Sequence, residues 1–393
     1  MNSNAPMTLI KVFSGLKDQR DERKCRHKLI DVVIIAIAAV ICGADDLTGI
    51  EAFGKAKIEW FKRFLELENG IPSHDTFGRV FSLLSAKAFQ ACFRDWVESV
   101  RTLYEEEIIA VDGKTLRRSH DRKAGLGPLH VVSAWAVQNR IVLGQTATEA
   151  KSNEITAIPE LLEVLMLKGC IVTIDAMGCQ KKIAQQIVDQ GGDYVLALKG
   201  NQGLLADEVE EAFIDADAND YQGLDTDYYE TDERGHGRVE RRRYWTLGDT
   251  GSASQAALWT GLNMFGMVES IRECDGKTTS EYRFYIGSIG NAAKQFARAV
   301  RGHWGVENGL HWSLDIAFRE DESRLRERNA AENFAVLRHI ALGLLKNDTR
   351  TKLGVKNKRL KAGWDERYLG KLLFSQPNQR VGRKSGLPNI SKV

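Results

Sequence analysis

The sequence lacks the paired cysteines that a disulfide framework or a zinc site would need. It has six cysteines, and no two of them form a C-x-x-C pair. Scattered single cysteines are typical of reduced thiols, so we expect a cytoplasmic protein. The cysteines are Cys25, Cys42, Cys92, Cys170, Cys179 and Cys274.

Long apolar segments are also missing. The longest run, VVIIAIAAVIC from Val32 to Cys42, has 11 residues, whereas a membrane-spanning helix needs about 20. The run therefore predicts a buried helix, and we expect no membrane partner. The opening residues MNSNAPMTLIKVF contain no apolar core of the kind found in a secretory signal, so we also expect no export signal.

Charge is nearly balanced overall but strongly segregated along the chain. The formal net charge is +2, yet residues 204–235 hold 12 acids against one base, and residues 346–393 hold 13 bases against three acids. The acidic block predicts a solvated helix and loop. The basic tail, residues 346–393, is either a contact for a polyanion or a solubilising segment.

Residues 1–104 have apolar side chains at helical spacing, which predicts an all-α N-terminal domain. Within it, Ser73 or Asp75 can cap a helix that begins near Thr76. Two helices joined by a short turn fit a helix-turn-helix in which His74, Thr76 and Arg79 face a DNA groove. Simple packing of the helices explains the same pattern.

From residue 105 the pattern changes to β-β-β-α-β-α-β-α. Three successive strands followed by crossover units predict an α/β domain, residues 105–345, with a mixed sheet flanked by helices. Residues 221–289 predict short strands, which we take as a β-rich insertion before the last long helix. That helix contains Trp304 and Trp312, which we expect in the core.

Two aspartates lie at the ends of predicted buried strands. Asp112 ends EIIAVD and Asp175 ends CIVTID, and residues at the carboxyl ends of neighbouring strands collect at one edge of a sheet. A strand-end aspartate can also cap the next helix or meet a buried arginine. Two of them on adjacent strands favour a functional site.

A third carboxylate, Glu307, lies on the late helix. Clustered carboxylates repel one another, and a divalent cation removes that repulsion; magnesium prefers a few carboxylates together with phosphate oxygens. We therefore predict that Asp112, Asp175 and Glu307 are metal ligands for phosphoryl transfer, with magnesium as the ion and manganese as its substitute. The cations beside the first aspartate would bind phosphates; they are Lys114, Arg117 and Arg118.

Several segments resemble the DDE transposases of bacterial insertion sequences, and more closely the H-repeat-associated proteins found beside Rhs elements. These segments are AVDGKTLRRS, TIDAMGCQKKIA, YVLALKGNQ and HWGVENGLHWSLDIAFREDESRLR. The resemblance covers nearly the whole chain. It implies a ribonuclease-H-like catalytic core, dependence on magnesium, and cleavage and joining of DNA strands at element ends.

By this resemblance Asp112, Asp175 and Glu307 correspond to the catalytic triad of the family. The wider superfamily often has Tyr, Arg and Lys around the glutamate, whereas this chain has Val300, His303 and Leu314 there. His303 is a candidate phosphate contact, and Arg301 is a candidate substitute for the missing arginine. The implied partners are double-stranded DNA, as element ends and target, and a second copy of the chain in a homodimer assembled on DNA. Such a protein would be cytoplasmic and associated with the nucleoid.

Further candidate DNA contacts lie outside these motifs. Lys199 and Asn201 follow a strand expected beside the Asp175 strand, although a turn and helix cap explains them too. The segment ERGHGRVERRR, residues 233–243, predicts a basic hairpin, with a solvated strand as the alternative. Its candidate contacts are His236, Arg238 and Arg241. His303 and His311 lie eight residues apart on one predicted helix, but the sequence offers nothing that completes a zinc set.

Two other functions remain open from the residues alone. One is a non-mobile DNA-binding protein derived from a transposase, with little or no catalytic activity. The other is a hydrolase with a carboxylate pair, such as a glycosidase, which would need an aromatic sugar cleft and no basic segments beside the acids. DNA affinity should fall steeply with ionic strength, and sugar hydrolysis should not.

Overall fold

The N-terminal part of the chain is helical, as its apolar periodicity predicts. A computed structural model describes residues 9–21, 23, 25–120, 125, 127–148, 154–235, 238–274 and 276–374. Its first helices are α1 (Leu9–Phe13), α2 (Leu29–Ile41), α3 (Leu47–Ala56), α4 (Ile58–Phe61), α5 (His74–Leu83) and α6 (Ala86–Val100).

Local sequence explains where these helices lie and begin. Helix α2 is the long apolar run, and all but one of its residues are buried. The Ser73 side chain accepts a hydrogen bond from the Thr76 N–H at 3.3 Å and caps α5, which begins at His74. The imidazole of His74 lies 2.7 Å from Glu51 of α3. The predicted cap is therefore confirmed, while the groove contact stays a prediction.

A single mixed sheet of nine strands forms the centre of the molecule. Its strand order is β3-β2-β1-β4-β5-β9-β8-β7-β6. The strands are β1 (Ile108–Leu116), β2 (Leu129–Ala136), β3 (Ile141–Thr148), β4 (Ile171–Ile174), β5 (Asp193–Leu198), β6 (Thr226–Gly235), β7 (Arg238–Leu247), β8 (Met264–Cys274) and β9 (Lys277–Gly287).

Antiparallel β1, β2 and β3 are followed by β4 and β5, which run parallel to β1. The prediction of a mixed sheet flanked by helices is confirmed. The β-rich residues 221–289 do not form a separate layer, because β9 pairs with β5 and continues the same sheet. Backbone pairing between β5 and β9 joins strands β1–β5 to strands β6–β9. No sequence pattern predicts this pairing.

Helices cover the sheet and join it to the N-terminal helices. Helix α12 contacts α2, α5 and α6 as well as β3, and one continuous core extends from Leu9 to Leu373. The remaining helices are α7 (Glu154–Glu163), α8 (Lys181–Asp189), α9 (Gly203–Ala218), α10 (Ala293–Val306), α11 (Trp312–Phe318), α12 (Arg328–Asn347), α13 (Val355–Trp364) and α14 (Glu366–Phe374). No helix in the described ranges is long and apolar enough to cross a membrane.

The first part of the predicted basic tail packs against the body. Arg359 of α13 is buried, and its guanidinium donates to the Val40 carbonyl at 2.8 Å and to Asp45 at 2.9 Å. The first bond adds a donor to a carbonyl group in the last turn of α2, where a helix lacks its usual N–H partners, and the second pairs the guanidinium with a carboxylate. Residues 346–374 therefore belong to the folded body, and residues 375–393 lie outside the described residues.

Candidate active site

The register of two parallel strands brings Asp112 and Asp175 together. Val111 of β1 lies opposite Ile174 of β4, so the next residue on each strand is one of the two aspartates. Parallel neighbours in register direct their side chains to the same face of the sheet. The sequence therefore predicts correctly that both carboxylates lie at one sheet edge.

Asp175 has a structural role as well as a place in this cluster. Its Oδ1 accepts hydrogen bonds from the N–H groups of Met177 at 3.1 Å and Gly178 at 3.3 Å. These bonds cap the short helical turn of residues 176–178. The cap proposed as the alternative explanation thus exists, and it uses one of the two carboxylate oxygens.

Glu307 lies above the strands on an irregular helical turn. Helix α10 approaches β1 so closely that a Cβ on Gly302 would lie 2.9 Å from Ile108. Residues Glu307–His311 then form a π-helical turn before α11. Such turns are rare and concentrate at functional sites. The Glu307 side chain is 62% exposed.

His311 joins this group, although we did not predict it from the sequence. Its Nδ1 lies 3.6 Å from Asp112 Oδ2 and 3.8 Å from Glu307 Oε2. One ligand atom from each of Asp112, Glu307 and His311 lies within 4.8 Å of the others; Asp175 is not in that set. The i, i+4 spacing from Glu307 to His311 was the available signal, because such pairs share a helix face.

Burial and like charges perturb the ionisable groups here. Burial raises the pKa of Asp112 to about 7, and the Glu307 and Asp175 carboxylates add to the rise. The hydrogen bond from the Gly113 N–H lowers the pKa but does not offset the burial. Burial lowers the pKa of both His303 and His311 below 6.5. The site therefore presents neutral imidazoles beside a carboxyl group whose charge is costly, as expected where a cation binds.

Gly113 and a buried hydrogen-bonded pair, His130 and Glu154, lie behind Asp112. His130 Nε2 lies 2.6 Å from Glu154 Oε1, and both side chains are buried. A Cβ on Gly113 would lie 2.4 Å from that His130 nitrogen and 2.5 Å from the Glu154 oxygen. Only glycine leaves room for the pair, which explains the glycine after Asp112 in the DGK sequence.

Lys114, predicted as a phosphate contact, lies among carboxylates of the protein itself. Its ammonium lies 2.5 Å from Asp315, 2.9 Å from Glu320 and 3.4 Å from Asp321, and the side chain is 12% exposed. Burial alone would lower the pKa of Lys114, but the Glu320 and Asp315 carboxylates outweigh it and raise the pKa. With three carboxylates around it, Lys114 stays outside the DNA surface that we propose below.

The other basic candidates near the cleft vary in their surroundings. Arg117 and Arg118 are exposed, and Arg117 lies 3.1 Å from Asp321. Lys199 is exposed, whereas the Asn201 amide donates to the Ala176 carbonyl at 2.6 Å. His303 Nδ1 lies 3.1 Å from Thr173 Oγ1. Asn201 therefore holds the loop after Asp175, whereas α9 begins without a side-chain cap.

The predicted basic hairpin is neutralised by its own partner strand. Arg241 lies 2.9 Å from Asp232, which faces it across β6 and β7. Arg301 of α10 lies 3.1 Å from Glu233 on the same hairpin. His236 lies outside the described residues, and only the backbone of Arg238 is described, in β7. These DNA contacts stay predictions.

Trp304 and Trp312 are not in the core, so that prediction was wrong. Their exposed fractions are 43% and 61%. The guanidinium of Arg283 lies 4.5 Å from the Trp304 ring centroid. The buried face of α10 consists instead of Phe296 and small aliphatic residues such as Ala297 and Val300.

A cleft of about 600 Å³ connects these groups. Its wall contains the three predicted metal ligands together with cationic and aromatic side chains. The lining includes Asp112, Asp175, Glu307, His303, Lys199, Arg283 and Trp304, and also the acids Asp207, Glu210 and Glu281. Because acids outnumber cations in this cleft, a phosphate would need a bound cation at the carboxylates.

Two family models match the chain. One described as DDE_Tnp_1-associated matches residues 10–97, and one described as Transposase DDE domain matches residues 103–344. The H repeat-associated putative transposase YhhI of Escherichia coli (strain K12) is 42% identical over 370 residues, covering 93% of this chain and 97% of that protein. The putative transposase YncI of Escherichia coli O157:H7 is 42% identical over 372 residues, 94% of this chain and 95% of that one.

Two further matches are a short relative and a structure of low sequence identity. The Escherichia coli (strain K12) protein named Inactive transposase YbfQ is 42% identical over 74 residues, 19% of this chain and 88% of its own length. Among solved structures, a piggyBac transposase in a synaptic complex with hairpin DNA aligns over 96% of this chain and 84% of that chain, at 9% identity and a TM-score of 0.45. That likeness is too distant to support an argument about function.

Proposed function

The chain belongs to the transposase DDE domain family, and on that premise we propose that it cuts and joins DNA strands at insertion-sequence ends by divalent-metal phosphoryl transfer. The observation that carries the proposal is the meeting of Asp112 and Asp175 at the ends of adjacent parallel strands, with Glu307 on the helix above β1. We propose magnesium as the ion, with manganese as its substitute.

Asp112, Asp175 and Glu307 are the proposed ligands. Their mutual repulsion and the raised pKa of Asp112 support this assignment, because a cation would relieve both. The Asp175 cap engages Oδ1 alone, which leaves Oδ2 for a ligand. When bound, the ion would activate the attacking oxygen and stabilise the leaving oxygen.

The chain's own part is to bind and orient DNA. We propose double-stranded DNA as the partner, both as element ends and as target, bound by a homodimer associated with the nucleoid. Lys199 and Arg118 are the exposed cations that we propose as phosphate contacts, with Arg117 beside them. Neutral His303 on the cleft wall can donate or accept one hydrogen bond at a phosphate without adding charge.

Incubating the full chain with a plasmid that carries the inverted ends of its element tests the proposal. Nicking and strand joining are expected with magnesium or manganese and should stop with a chelator. Products that form equally in the chelator would contradict it, and so would the absence of products with either ion. The second outcome would favour the non-mobile alternative, a DNA-binding protein without catalysis.

Metal binding should depend on pH through Asp112. Because its pKa is about 7 and a metal ligand must be deprotonated, the Mn²⁺ association constant should fall about tenfold for each pH unit below 7 and level off above it. Calorimetric titrations from about pH 5.5 to pH 8 measure this slope. Asp112→Asn should flatten the slope, and a flat wild-type profile would contradict the role of Asp112.

Removing Lys199 should weaken DNA binding without affecting its sequence preference. A phosphate contact contributes about one unit to the slope of log affinity against log salt concentration, so Lys199→Ala should lower that slope by about one. The matched control is Lys168→Ala, because Lys168 is also exposed but precedes the opposite end of β4. Fluorescence anisotropy over a salt series measures both; equal slopes in the two variants would remove Lys199 from the interface.

A further inference from the structure

We propose that His311 supplies a nitrogen ligand to the divalent ion held by Asp112 and Glu307, so that the site binds manganese more tightly than its carboxylates alone would. This inference rests on the proposed metal-dependent function and deepens it. Carboxylate oxygens suit magnesium and manganese alike, whereas an imidazole nitrogen suits transition ions and adds little for magnesium, which prefers oxygen ligands. The proposal therefore adds a preference between the two ions of the proposed reaction.

The first support is the direction of the imidazole. Nδ1 lies 3.6 Å from Asp112 Oδ2 and 3.8 Å from Glu307 Oε2. These separations are longer than direct hydrogen bonds, and all three ligand atoms lie within 4.8 Å of one another. Both separations are below about 4.4 Å, twice a usual ligand distance of about 2.2 Å, so one ion can bridge Nδ1 and either carboxylate oxygen.

The second support is the backbone that carries the ligands. Glu307 and His311 begin and end the same π-helical turn. An uninterrupted α-helix would already bring positions i and i+4 to one face, and the π turn adds an irregularity at the same five residues. Since π turns are found mostly at functional sites, this turn indicates that both of its end residues serve one site.

The third support is the other ring nitrogen. The His311 side chain is 9% exposed, and its Nε2 has no hydrogen-bond partner among the described protein atoms. The residue lines a cavity of about 10 Å³ together with Lys114, Glu320 and His339. That volume is on the scale of one water molecule, and Oε1 of Glu320 is likewise buried without a hydrogen-bond partner.

These facts favour one tautomer of the His311 imidazole, with the proton on Nε2. A histidine that binds a metal through one nitrogen normally donates its other N–H to a carboxylate or a water molecule. With the proton on Nε2, facing the cavity shared with Glu320, the lone pair of Nδ1 faces Asp112 and Glu307.

Manganese is the probe for the test, because its paramagnetism reports nitrogen ligands directly. The full-length protein with Mn²⁺ should show a ¹⁴N coupling in pulsed electron paramagnetic resonance, and labelling with [¹⁵N]histidine should convert it to a ¹⁵N coupling. The coupling should be lost in His311→Asn and kept in His303→Asn. His303 is the matched control, because it lines the same cleft on the preceding helix.

Affinity gives the second readout. His311→Asn should lower the Mn²⁺ association constant about tenfold or more and the Mg²⁺ constant by less than about threefold, because magnesium prefers oxygen ligands. The labelling experiment uses the wild-type chain, so it stands even if the variant folds poorly. His311→Gln provides a second substitution at the same position.

The remaining outcomes separate this inference from the proposed function. If wild type binds Mn²⁺ and Asp112→Asn does not, but no nitrogen coupling appears, His311 is not a ligand and the metal-dependent function stands. Coupling that disappears in His303→Asn and persists in His311→Asn would also overturn the inference. If wild type binds no Mn²⁺ at all, both the ligand assignment and the proposed metal chemistry fail.

Discussion

Asp112→Asn should lower metal-dependent DNA cleavage by about 10³-fold or more, the scale expected when one member of a catalytic unit is removed. The substitution preserves shape and the hydrogen bond that Asp112 accepts from the Gly113 N–H, so the fold should persist. It removes a negative charge from the lining of the cleft. Because phosphates would no longer be repelled by that charge, DNA should bind as well as before or more tightly. Plasmid cleavage, anisotropy and thermal unfolding measure the three quantities.

The control is Asp189→Asn, which removes the same charge from an exposed position at the end of α8. It should change cleavage by less than about twofold, as surface substitutions usually do. If Asp112→Asn instead unfolds the protein while its soluble fraction stays fully active, the carboxylate is structural. The proposed metal chemistry would then fail.

Asp175→Asn and Glu307→Gln should behave like Asp112→Asn. Residues that act as a unit are strongly non-additive, so the triple variant should be no less active than one single variant. Asp175→Asn should keep the cap at residues 176–178, because the Oδ1 of asparagine can accept the same two hydrogen bonds. Independent losses that multiply in the triple variant would indicate three separate roles.

The sequence predicts much of the catalytic half of the fold because that half is built from local patterns. Strands β1 to β5 and helices α7 to α9 follow apolar runs and helical periodicity, and the crossover rule makes β1 and β4 parallel neighbours. From that arrangement the meeting of Asp112 and Asp175 follows directly. The resemblance to DDE transposases, carried by the same segments, is confirmed by the match over residues 103–344.

Pairing between distant residues is what the sequence does not reveal. Lys114 follows Asp112 closely enough to suggest a phosphate contact, but its three carboxylate neighbours come from about 200 positions later. The arginines of β7 likewise form a basic cluster in sequence, and only the register with β6 reveals the acid opposite Arg241. A cluster of cations therefore predicts DNA contact only when no acidic strand lies against it.

His311 is an intermediate case between these two. Its spacing from Glu307 was visible in the sequence, but its nearness to Asp112 depends on how α10 and the π turn lie over β1. Gly302 permits that approach, since any larger side chain would meet Ile108. The third group of the cluster thus becomes visible only when helix packing is known.

Lys114→Met should lower the free energy of unfolding by about 3–5 kcal/mol, the usual cost of removing one partner of a buried ion pair. The variant keeps the length and apolar stem of the side chain but leaves Glu320, which is 2% exposed, with Arg338 as its remaining cation at 3.6 Å. Asp315 and Asp321 would also lose their neighbouring ammonium. Chemical denaturation of both proteins measures the difference.

Lys55→Met is the matched control for this change. Lys55 forms an i, i+4 pair with Glu51 at 2.6 Å, but its side chain is 64% exposed. Because solvent screens such pairs, the free energy of unfolding should change by less than about 0.5 kcal/mol. If Lys114 instead bound phosphate, Lys114→Met would leave stability unchanged and lower the salt slope of DNA binding by about one. That result would restore the role predicted from the sequence and contradict the buried ion-pair network.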